Sequence, residues 1–209
     1  MNLIIFGVTG MVGKQLVKQA LHNGYHVKAY SRNIFTEELP KDDNLELVQG
    51  ALFDEGQAYK AIKGCDAVLA ALGGAAGDTE VTRSLGMKNI TAQMKKAGVK
   101  RIVALGSIGM LKEDEETLIM ETPEYPTELH HEGREHFKAY EFLKASELDW
   151  TFVCPPEIID AAPTGDFITS ADYPPNPNKN EITSGDLALF MLNELQRNEY
   201  VRHRVGISN

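Results

Sequence analysis

The sequence predicts an α/β fold in which a doubly wound parallel sheet forms a single domain over residues 1–209. Short apolar runs alternate with helical patterns along the whole chain. The first run, residues 3–6, is followed by Gly7, Gly10 and Gly13 and then by a helical pattern. A length of 209 residues suits one sheet covered by helices on both faces. Together these features are typical of a Rossmann-type domain.

The predicted elements follow one another in the order that such a sheet requires. Residues 3–6 lack polar alternation, as expected of a strand buried on both faces. A helix follows, with residues 14–21 inside it and Gly24 closing it. Further strands are predicted at residues 25–30, 45–49, 67–72, 101–105 and 151–154, further helices at 58–63, 82–97, 134–146 and 185–195, and an edge strand at 201–207.

Two proline-containing segments interrupt this alternation, and both are predicted to be loops on the substrate side. Residues 108–132 are rich in acidic side chains and include Pro123 and Pro126. Residues 161–181 contain four prolines. In this architecture such loops build substrate pockets or lids, but they are also found as mobile surface excursions, and the sequence leaves both interpretations open.

The bulk composition excludes several classes of protein. The formal net charge of −9 gives no electrostatic footprint for nucleic acid or for an anionic membrane. Cys65 and Cys154 lack CxxC spacing, so we expect two buried thiols with neither a disulfide framework nor a metal site. No export signal or membrane-spanning run is recognised, which favours a cytoplasmic protein. We expect a monomer or a weak homodimer.

The glycines after the first strand predict a dinucleotide site. Gly7 allows a sharp turn off the strand, Gly10 allows close approach of a pyrophosphate, and Gly13 allows the first helix to pack against the sheet. The free amides at the helix N-terminus then face the phosphates. A glycine-rich structural turn without a ligand is the alternative, but the strand before the motif and the helix after it favour the nucleotide.

The end of the second strand predicts which dinucleotide binds. NAD-preferring sites usually have Asp or Glu there, to bind the ribose diol. This chain has Ser31, Arg32 and Asn33. Arg32 offers a planar cation to a 2′-phosphate, and its two neighbours add hydrogen-bond donors, so NADP(H) is predicted. A solvated arginine at a strand end is the alternative.

Three further strand ends contribute to the predicted site. A second glycine-rich loop at residues 71–77 includes Gly74 and allows close approach to the ribose or pyrophosphate. Ser107 follows the fifth strand, where a hydroxyl can orient a substrate carbonyl or a ring nitrogen near the nicotinamide. Pro155 and Pro156 follow the sixth strand and fix a rigid turn whose backbone can contact the carboxamide.

These motifs resemble the atypical short-chain dehydrogenase/reductase group, in the branch of NmrA-like proteins and biliverdin reductase B-like, NADPH-dependent flavin reductases. Residues 63–68 and 143–151 extend the resemblance over nearly the whole chain. It implies cofactor contacts from the three motif glycines and from Thr9, Met11, Val12, Arg32, Leu72, Gly73, Ser107 and residues 155–158, ending at Ile158. We also expect Ala51 and Leu52, which follow the third strand, to contact the cofactor.

The chain departs from that family at several positions. Ala51 follows Gly50 where the relatives have an aspartate that binds adenine, and a second arginine beyond Arg32 is missing. Glu157 stands after the Pro-Pro pair where the relatives have histidine. These departures bear on cofactor affinity and on the choice of substrate.

The family pattern also identifies candidate catalytic residues. Tyr140 and Lys144 have Tyr-x-x-x-Lys spacing, but counting back along the family pattern places the tyrosine position near Glu132 and the lysine position near His136. We therefore interpret Tyr140 as a packing residue. The candidates are Ser107, which would orient the acceptor; His136, which would donate a proton or polarise, unless it is a surface histidine; and Glu157, which would shape the pocket.

The resulting hypothesis is an NADPH-dependent oxidoreductase that reduces a flavin, a quinone or a similar planar conjugated acceptor. Such an acceptor needs little proton transfer from the protein, which fits a site without the usual tyrosine. The alternative is a catalytically idle NADP(H)-binding sensor of the NmrA type. The missing Tyr-Lys pair favours the sensor, whereas Ser107 and the two long loops favour the enzyme.

Overall fold

The computed structural model describes residues 1–36, 38–74 and 81–209. Strands and helices alternate through this part of the chain in the predicted βαβ order. The strands are β1 (Asn2–Phe6), β2 (His26–Ser31), β3 (Leu45–Gln49), β4 (Ala67–Ala70), β5 (Arg101–Leu105), β6 (Asp149–Cys154), β7 (Glu157–Ile159), β8 (Ile168–Ala171), β9 (Glu181–Thr183) and β10 (His203–Ser208). The α-helices are α1 (Met11–His22), α2 (Glu55–Ile62), α3 (Thr82–Ala97), α4 (His130–Lys144) and α5 (Ser184–Arg197).

The main sheet of the described residues has eight strands in the order β3-β2-β1-β4-β5-β6-β10-β8. Every neighbouring pair is parallel except β10 and β8, which are antiparallel. The first six strands have the order 3-2-1-4-5-6 of a doubly wound sheet, and the order reverses between β1 and β4. The predicted Rossmann-type α/β fold is confirmed.

Strand β1 explains why the first apolar run has no polar alternation. Leu3 and Ile5 pack on one face of the sheet with residues of α1 and α5. Ile4 and Phe6 pack on the other face with residues of α2, α3 and α4. Because successive side chains point to opposite faces, a strand covered on both sides must be apolar throughout.

The register of the central strands places the predicted site residues along one edge. Phe6 lies opposite Tyr30 on one side and Ala70 on the other, and Ala70 lies opposite Ala104. Ala104 in turn lies opposite Phe152. The carboxyl ends of five strands are therefore level, so the loops that follow them meet at one edge of the sheet.

Two predictions about the C-terminal part of the chain are wrong. The strand predicted at the sheet edge, β10, lies inside the sheet between β6 and β8. Residues 161–181 are not a structureless loop, because they contain β8, which pairs with β10. The half-exposed sequence of β8 is short and flanked by proline and glycine, so its strand character depends on pairing with a distant segment.

The acidic segment at residues 108–132 is also more ordered than predicted. It contains three short 3₁₀ turns, at Ile108–Met110, Ile119–Glu121 and Thr127–Leu129, and α4 begins at His130, earlier than the predicted 134. Cys65 and Cys154 are buried free thiols, as expected. No helix of the described residues is long and apolar enough to cross a membrane.

Candidate functional site

The turn between β1 and α1 requires glycine at two positions. Gly7 has a φ of +84°, and a Cβ built on it would lie 2.1 Å from the carbonyl oxygen of Ala71. A Cβ built on Gly13 would lie 2.1 Å from the carbonyl oxygen of Gly7. Gly10 differs, because the nearest atom to an added Cβ, the Gly7 oxygen, is 3.6 Å away and the residue is exposed. Gly7 and Gly13 are therefore required by the packing of the protein, whereas a side chain at Gly10 would make only an ordinary van der Waals contact.

Exposed Gly10 lies at the N-terminus of α1. Gly10 is the N-cap, no side chain caps the helix, and no acidic residue lies in its first turn. The amides of Met11, Val12 and Gly13 have no acceptor within the helix, and the exposed residues Thr9 and Met11 flank them. A helix end with free amides and an open glycine in front of it fits the pyrophosphate of a dinucleotide.

The predicted 2′-phosphate residues lie at the end of β2, beside β1. Arg32 and Asn33 are exposed and Ser31 is half-buried. The backbone around them is held in place, because Gln49 donates a side-chain hydrogen bond of 2.9 Å to the Arg32 carbonyl and the Gly50 amide donates one of 3.1 Å to the Ser31 carbonyl. The arginine side chain therefore extends from a fixed backbone at the edge where the cofactor is expected.

The predicted adenine side is built from backbone groups and apolar side chains. The Tyr30 hydroxyl donates a hydrogen bond of 2.9 Å to the Ala51 carbonyl. Burial raises the pKa of Tyr30 to about 12, and the charge of Asp54 makes a smaller contribution in the same direction. The backbone carbonyl of Leu52 accepts a hydrogen bond of 2.8 Å from the side-chain amide of Asn89. Since Ala51 has no side-chain acceptor, it cannot bind the adenine amino group as an aspartate would.

The loop after β4 continues this edge. The Ala71 amide donates to the Phe6 carbonyl at 3.0 Å, which extends the β1–β4 pairing by one residue. Leu72 is buried, whereas Gly73 and Gly74 are exposed, and nothing lies within 4 Å of a Cβ built on Gly73. Open backbone of this kind suits close contact with a ligand. Residues 75–77 of the predicted loop lie outside the described residues.

Ser107 lies where the ends of β5 and β6 meet. The Ile108 amide donates to the Pro155 carbonyl at 2.8 Å, so the loop that contains the serine and the Pro-Pro turn are held together. The Ser107 hydroxyl is buried and makes no hydrogen bond of normal distance and angle with any described residue. A buried hydroxyl without a partner costs about 1–3 kcal/mol, so a ligand group that bonded to Ser107 would be favoured there.

The sequence did not point to Tyr125, which lies against Gly109 in the short turn that Ser107 begins. The tyrosine comes from the acidic segment and is 7% exposed, and its ring meets His130 edge-on at 5.4 Å. Burial and the charge of Glu132 raise its pKa, while the nearby Ser107 hydroxyl lowers it in part. The one signal in the sequence is an aromatic residue among charged and proline residues, which does not by itself indicate where the ring packs.

His136 lies on α4 and is buried, with its ring centroid 6.3 Å from that of Phe152, which excludes the surface alternative. Its Nε2 lies 3.5 Å from a carboxylate oxygen of Glu132, and the same oxygen lies 3.4 Å from Nη2 of Arg83. Burial lowers the pKa of His136, and a hydrogen bond from His136 lowers the pKa of Glu132. The neutral imidazole is therefore favoured beside an ionised carboxylate.

The remaining candidates lie in different surroundings. Glu157 is exposed at the start of β7, while Pro156 and Ile158 are half-buried beside it. Tyr140 packs against Trp150 with ring centroids 5.7 Å apart and against Phe152 at 6.0 Å. This is the packing position that the family pattern predicts for Tyr140.

Comparisons with known proteins agree with this geometry. A sequence model of a family described as NAD(P)H-binding matches residues 7–198. The chain is 28% identical over 214 residues to the uncharacterized protein YwnB of Bacillus subtilis, covering 99% of this chain and 98% of the relative. Its fold resembles that of a candidate NADH-flavin reductase from Streptococcus pneumoniae, with 24% identity, coverage of 100% and 99%, and a TM-score of 0.84. It also resembles a short-chain dehydrogenase/reductase from Veillonella parvula in complex with NADP, with 14% identity, coverage of 100% and 94%, and a TM-score of 0.78.

Proposed function

The chain belongs to the NAD(P)H-binding family, and from this premise we propose that it is an NADPH-dependent oxidoreductase that reduces a flavin, a quinone or a similar planar conjugated acceptor by hydride transfer. One observation carries the proposal. The buried hydroxyl of Ser107, without a normal partner among the described residues, lies at the same sheet edge as the open helix end at Gly10. A polar group next to the proposed dinucleotide-binding turn is suited to orient a second molecule beside the nucleotide.

The preference for NADP(H) rests on Arg32. This exposed residue stands where NAD-preferring sites have an acidic side chain, and it presents a cation at the ribose end of the site. A guanidinium can bind a phosphate with two parallel hydrogen bonds, and it has no comparable partner on an unphosphorylated ribose. Ser31 and Asn33 add polar groups beside it.

In the proposed reaction the protein positions the acceptor against the cofactor. When bound, the nicotinamide supplies the hydride. Ser107 orients the acceptor, and the backbone of residues 155–158 holds the carboxamide end, with exposed Glu157 at the outer wall. His136 holds the carboxylate of Glu132 in place through the contact of 3.5 Å. These roles together align an acceptor for transfer.

The class of acceptor follows from what occupies the usual catalytic positions. Glu132 and His136 stand where the family pattern has tyrosine and lysine, and Tyr140 is packed against Trp150 and Phe152. A flavin or a quinone spreads the charge that hydride addition creates over a conjugated ring system. Such an acceptor makes a smaller demand on a strong acid in the protein than an isolated ketone does.

The experiment is a titration of the protein with NADPH and with NADH, followed by nucleotide fluorescence. FMN and then a water-soluble quinone are added, and the absorbance of the reduced nicotinamide is recorded. We expect tighter binding of NADPH and its steady oxidation by at least one acceptor. Tight binding without oxidation across flavins and quinones would instead support the NADP(H) sensor. Absence of binding would overturn both functions.

A further inference from the structure

We propose that position 51 decides whether the base of the dinucleotide is recognised through a hydrogen bond, and that with alanine there the protein binds a 6-oxopurine dinucleotide as well as it binds NADPH. The inference rests on the proposed function, which it deepens by stating the class of nucleotide that the site accepts. It concerns the binding of the nucleotide alone, so its test does not require an acceptor to be reduced.

The loop after β3 lies directly beside the residues predicted to bind the 2′-phosphate. Ser31 of β2 pairs with Gln49 of β3, and the Gly50 amide donates to the Ser31 carbonyl at 3.1 Å. The side chain of Gln49 donates to the Arg32 carbonyl at 2.9 Å. A dinucleotide with its pyrophosphate at α1 and its ribose at the end of β2 directs its base toward the end of β3. Residues 50–53 are therefore expected to face the base.

This loop offers the base apolar side chains only. Residues 50–53 are glycine, alanine, leucine and phenylalanine. Leu52 packs against α3, because a Cβ built on Gly86 would lie 2.6 Å from its Cδ2 atom. Phe53 is 54% exposed. Side chains of this kind can contact the face of a purine, and such contact tolerates different bases because every base has a π-face.

The backbone acceptors of the loop are already used within the protein. The carbonyl of Ala51 accepts from the Tyr30 hydroxyl at 2.9 Å and from the Asp54 amide at 3.0 Å, which occupies both of its lone pairs. The carbonyl of Leu52 accepts from the side-chain amide of Asn89 at 2.8 Å. Asn89 is buried on α3, so that oxygen is directed at the helix.

Gln57 fixes the remaining polar groups of the loop. Its side-chain oxygen accepts from the Ala51 amide at 2.8 Å, and its backbone amide donates to Oδ1 of Asp54 at 2.8 Å, which caps α2. The loop is thus held by its own hydrogen bonds, and the amino group of a bound adenine would keep its water. Hypoxanthine has an oxygen in place of that amino group, so the exchange removes no hydrogen bond to residues 50–53.

The first experiment titrates the wild-type protein with NADPH and with reduced nicotinamide hypoxanthine dinucleotide phosphate, and it follows the nucleotide fluorescence. We expect the two Kd values to agree within about threefold, because neither base forms a hydrogen bond with the loop. A preference for NADPH of about tenfold or more, the effect of one hydrogen bond to the base, would overturn the proposal. So would the absence of binding by either nucleotide.

The second experiment introduces the missing acceptor. Ala51→Asp places a carboxylate that can accept from the adenine amino group and repels the oxygen of hypoxanthine, so we expect a preference for NADPH of about tenfold. Ala51→Asn is the matched control of equal size. Its amide can accept from the amino group or donate to the oxygen, so the two Kd values should stay within about threefold.

Equal Kd values in Ala51→Asp would overturn the proposal, because position 51 would then not face the base. These outcomes are separate from the fate of the proposed function. If the wild type binds NADPH but oxidises it with no acceptor, the proposed function fails, and the ratios of the Kd values in the three proteins still decide how the base is recognised.

Discussion

Gly13 packs directly against the carbonyl group of Gly7, since a Cβ on Gly13 would lie 2.1 Å from that oxygen. The contact brings the first turn of α1 against the end of β1, and it sets the direction in which the helix amides point. Gly10, three residues earlier, is exposed, and a Cβ on it would make only an ordinary contact, 3.6 Å from the Gly7 oxygen. One motif therefore combines a position that packing requires to be glycine with an exposed position where a side chain would meet no close contact within the protein.

Alanine substitutions should separate these two roles. Gly13→Ala forces backbone atoms apart, so we expect it to cost about 1–3 kcal/mol or more of unfolding free energy and to weaken NADPH binding as a consequence. Gly10→Ala should cost less than about 1 kcal/mol, because only the N-cap preference changes. It should nevertheless weaken NADPH at least tenfold. Urea unfolding and fluorescence titration measure both quantities, and equal destabilisation by the two variants would contradict the assignment.

How much the sequence could predict depends on how local each interaction is. The glycine motif and the apolar strand before it are contiguous, so periodicity and spacing were enough to place them. Strand β8 and Tyr125 depend on partners far along the chain: Ala171 pairs with Val205, and the tyrosine lies against Gly109 and Gly133. No local pattern encodes such contacts, because an isolated strand of four half-exposed residues or a lone tyrosine near proline is compatible with many environments.

Arg32→Ala tests the choice of cofactor. If the guanidinium binds the 2′-phosphate, its loss should weaken NADPH by about 2 kcal/mol, roughly thirtyfold, and should leave NADH nearly unchanged. Arg197→Ala is the matched control. It also removes one positive charge, but from an exposed arginine in the last turn of α5, away from the proposed site. Titration of each variant with both nucleotides is the measurement, and an equal loss for both nucleotides in Arg32→Ala would refute the 2′-phosphate contact.

His136 should make the stability of the protein depend on pH. Burial lowers its pKa in the folded state below the ordinary value of 6.5, so below pH 6.5 the unfolded chain binds a proton that the folded chain does not. The free energy of unfolding therefore has its full value above pH 6.5, and it decreases as the pH falls toward the pKa of His136 in the folded protein. Urea unfolding should show a loss of about 1.4 kcal/mol per pH unit in this window. His136→Gln should lack this component; the same slope in the variant would mean that another group causes it.

The opposite edge of the sheet contains a polar network with a structural role. Glu194 is fully buried and accepts from Nη2 of Arg101 at 2.9 Å, from the Thr151 hydroxyl at 3.0 Å and from the Tyr200 amide at 2.9 Å. Burial lowers the pKa of Arg101, while Glu194 opposes that effect. The carboxylate thus compensates a buried cation and accepts from donors on β5, on β6 and in the turn before β10, away from the proposed cofactor.

Removing one partner of this network should cost far more than removing a surface pair. Glu194→Ala leaves the Arg101 charge buried and uncompensated, so we expect a loss of about 3–5 kcal/mol of unfolding free energy. Glu55→Ala, which breaks the exposed 3.1 Å pair with Lys96, should cost at most about 1 kcal/mol. The double variant Arg101→Met/Glu194→Leu removes both charges and should recover much of the loss, because no buried charge is then left alone. Denaturant unfolding measures the stability of all three variants. If the double variant is no more stable than Glu194→Ala, the packing of these side chains contributes more to stability at this edge than charge compensation does.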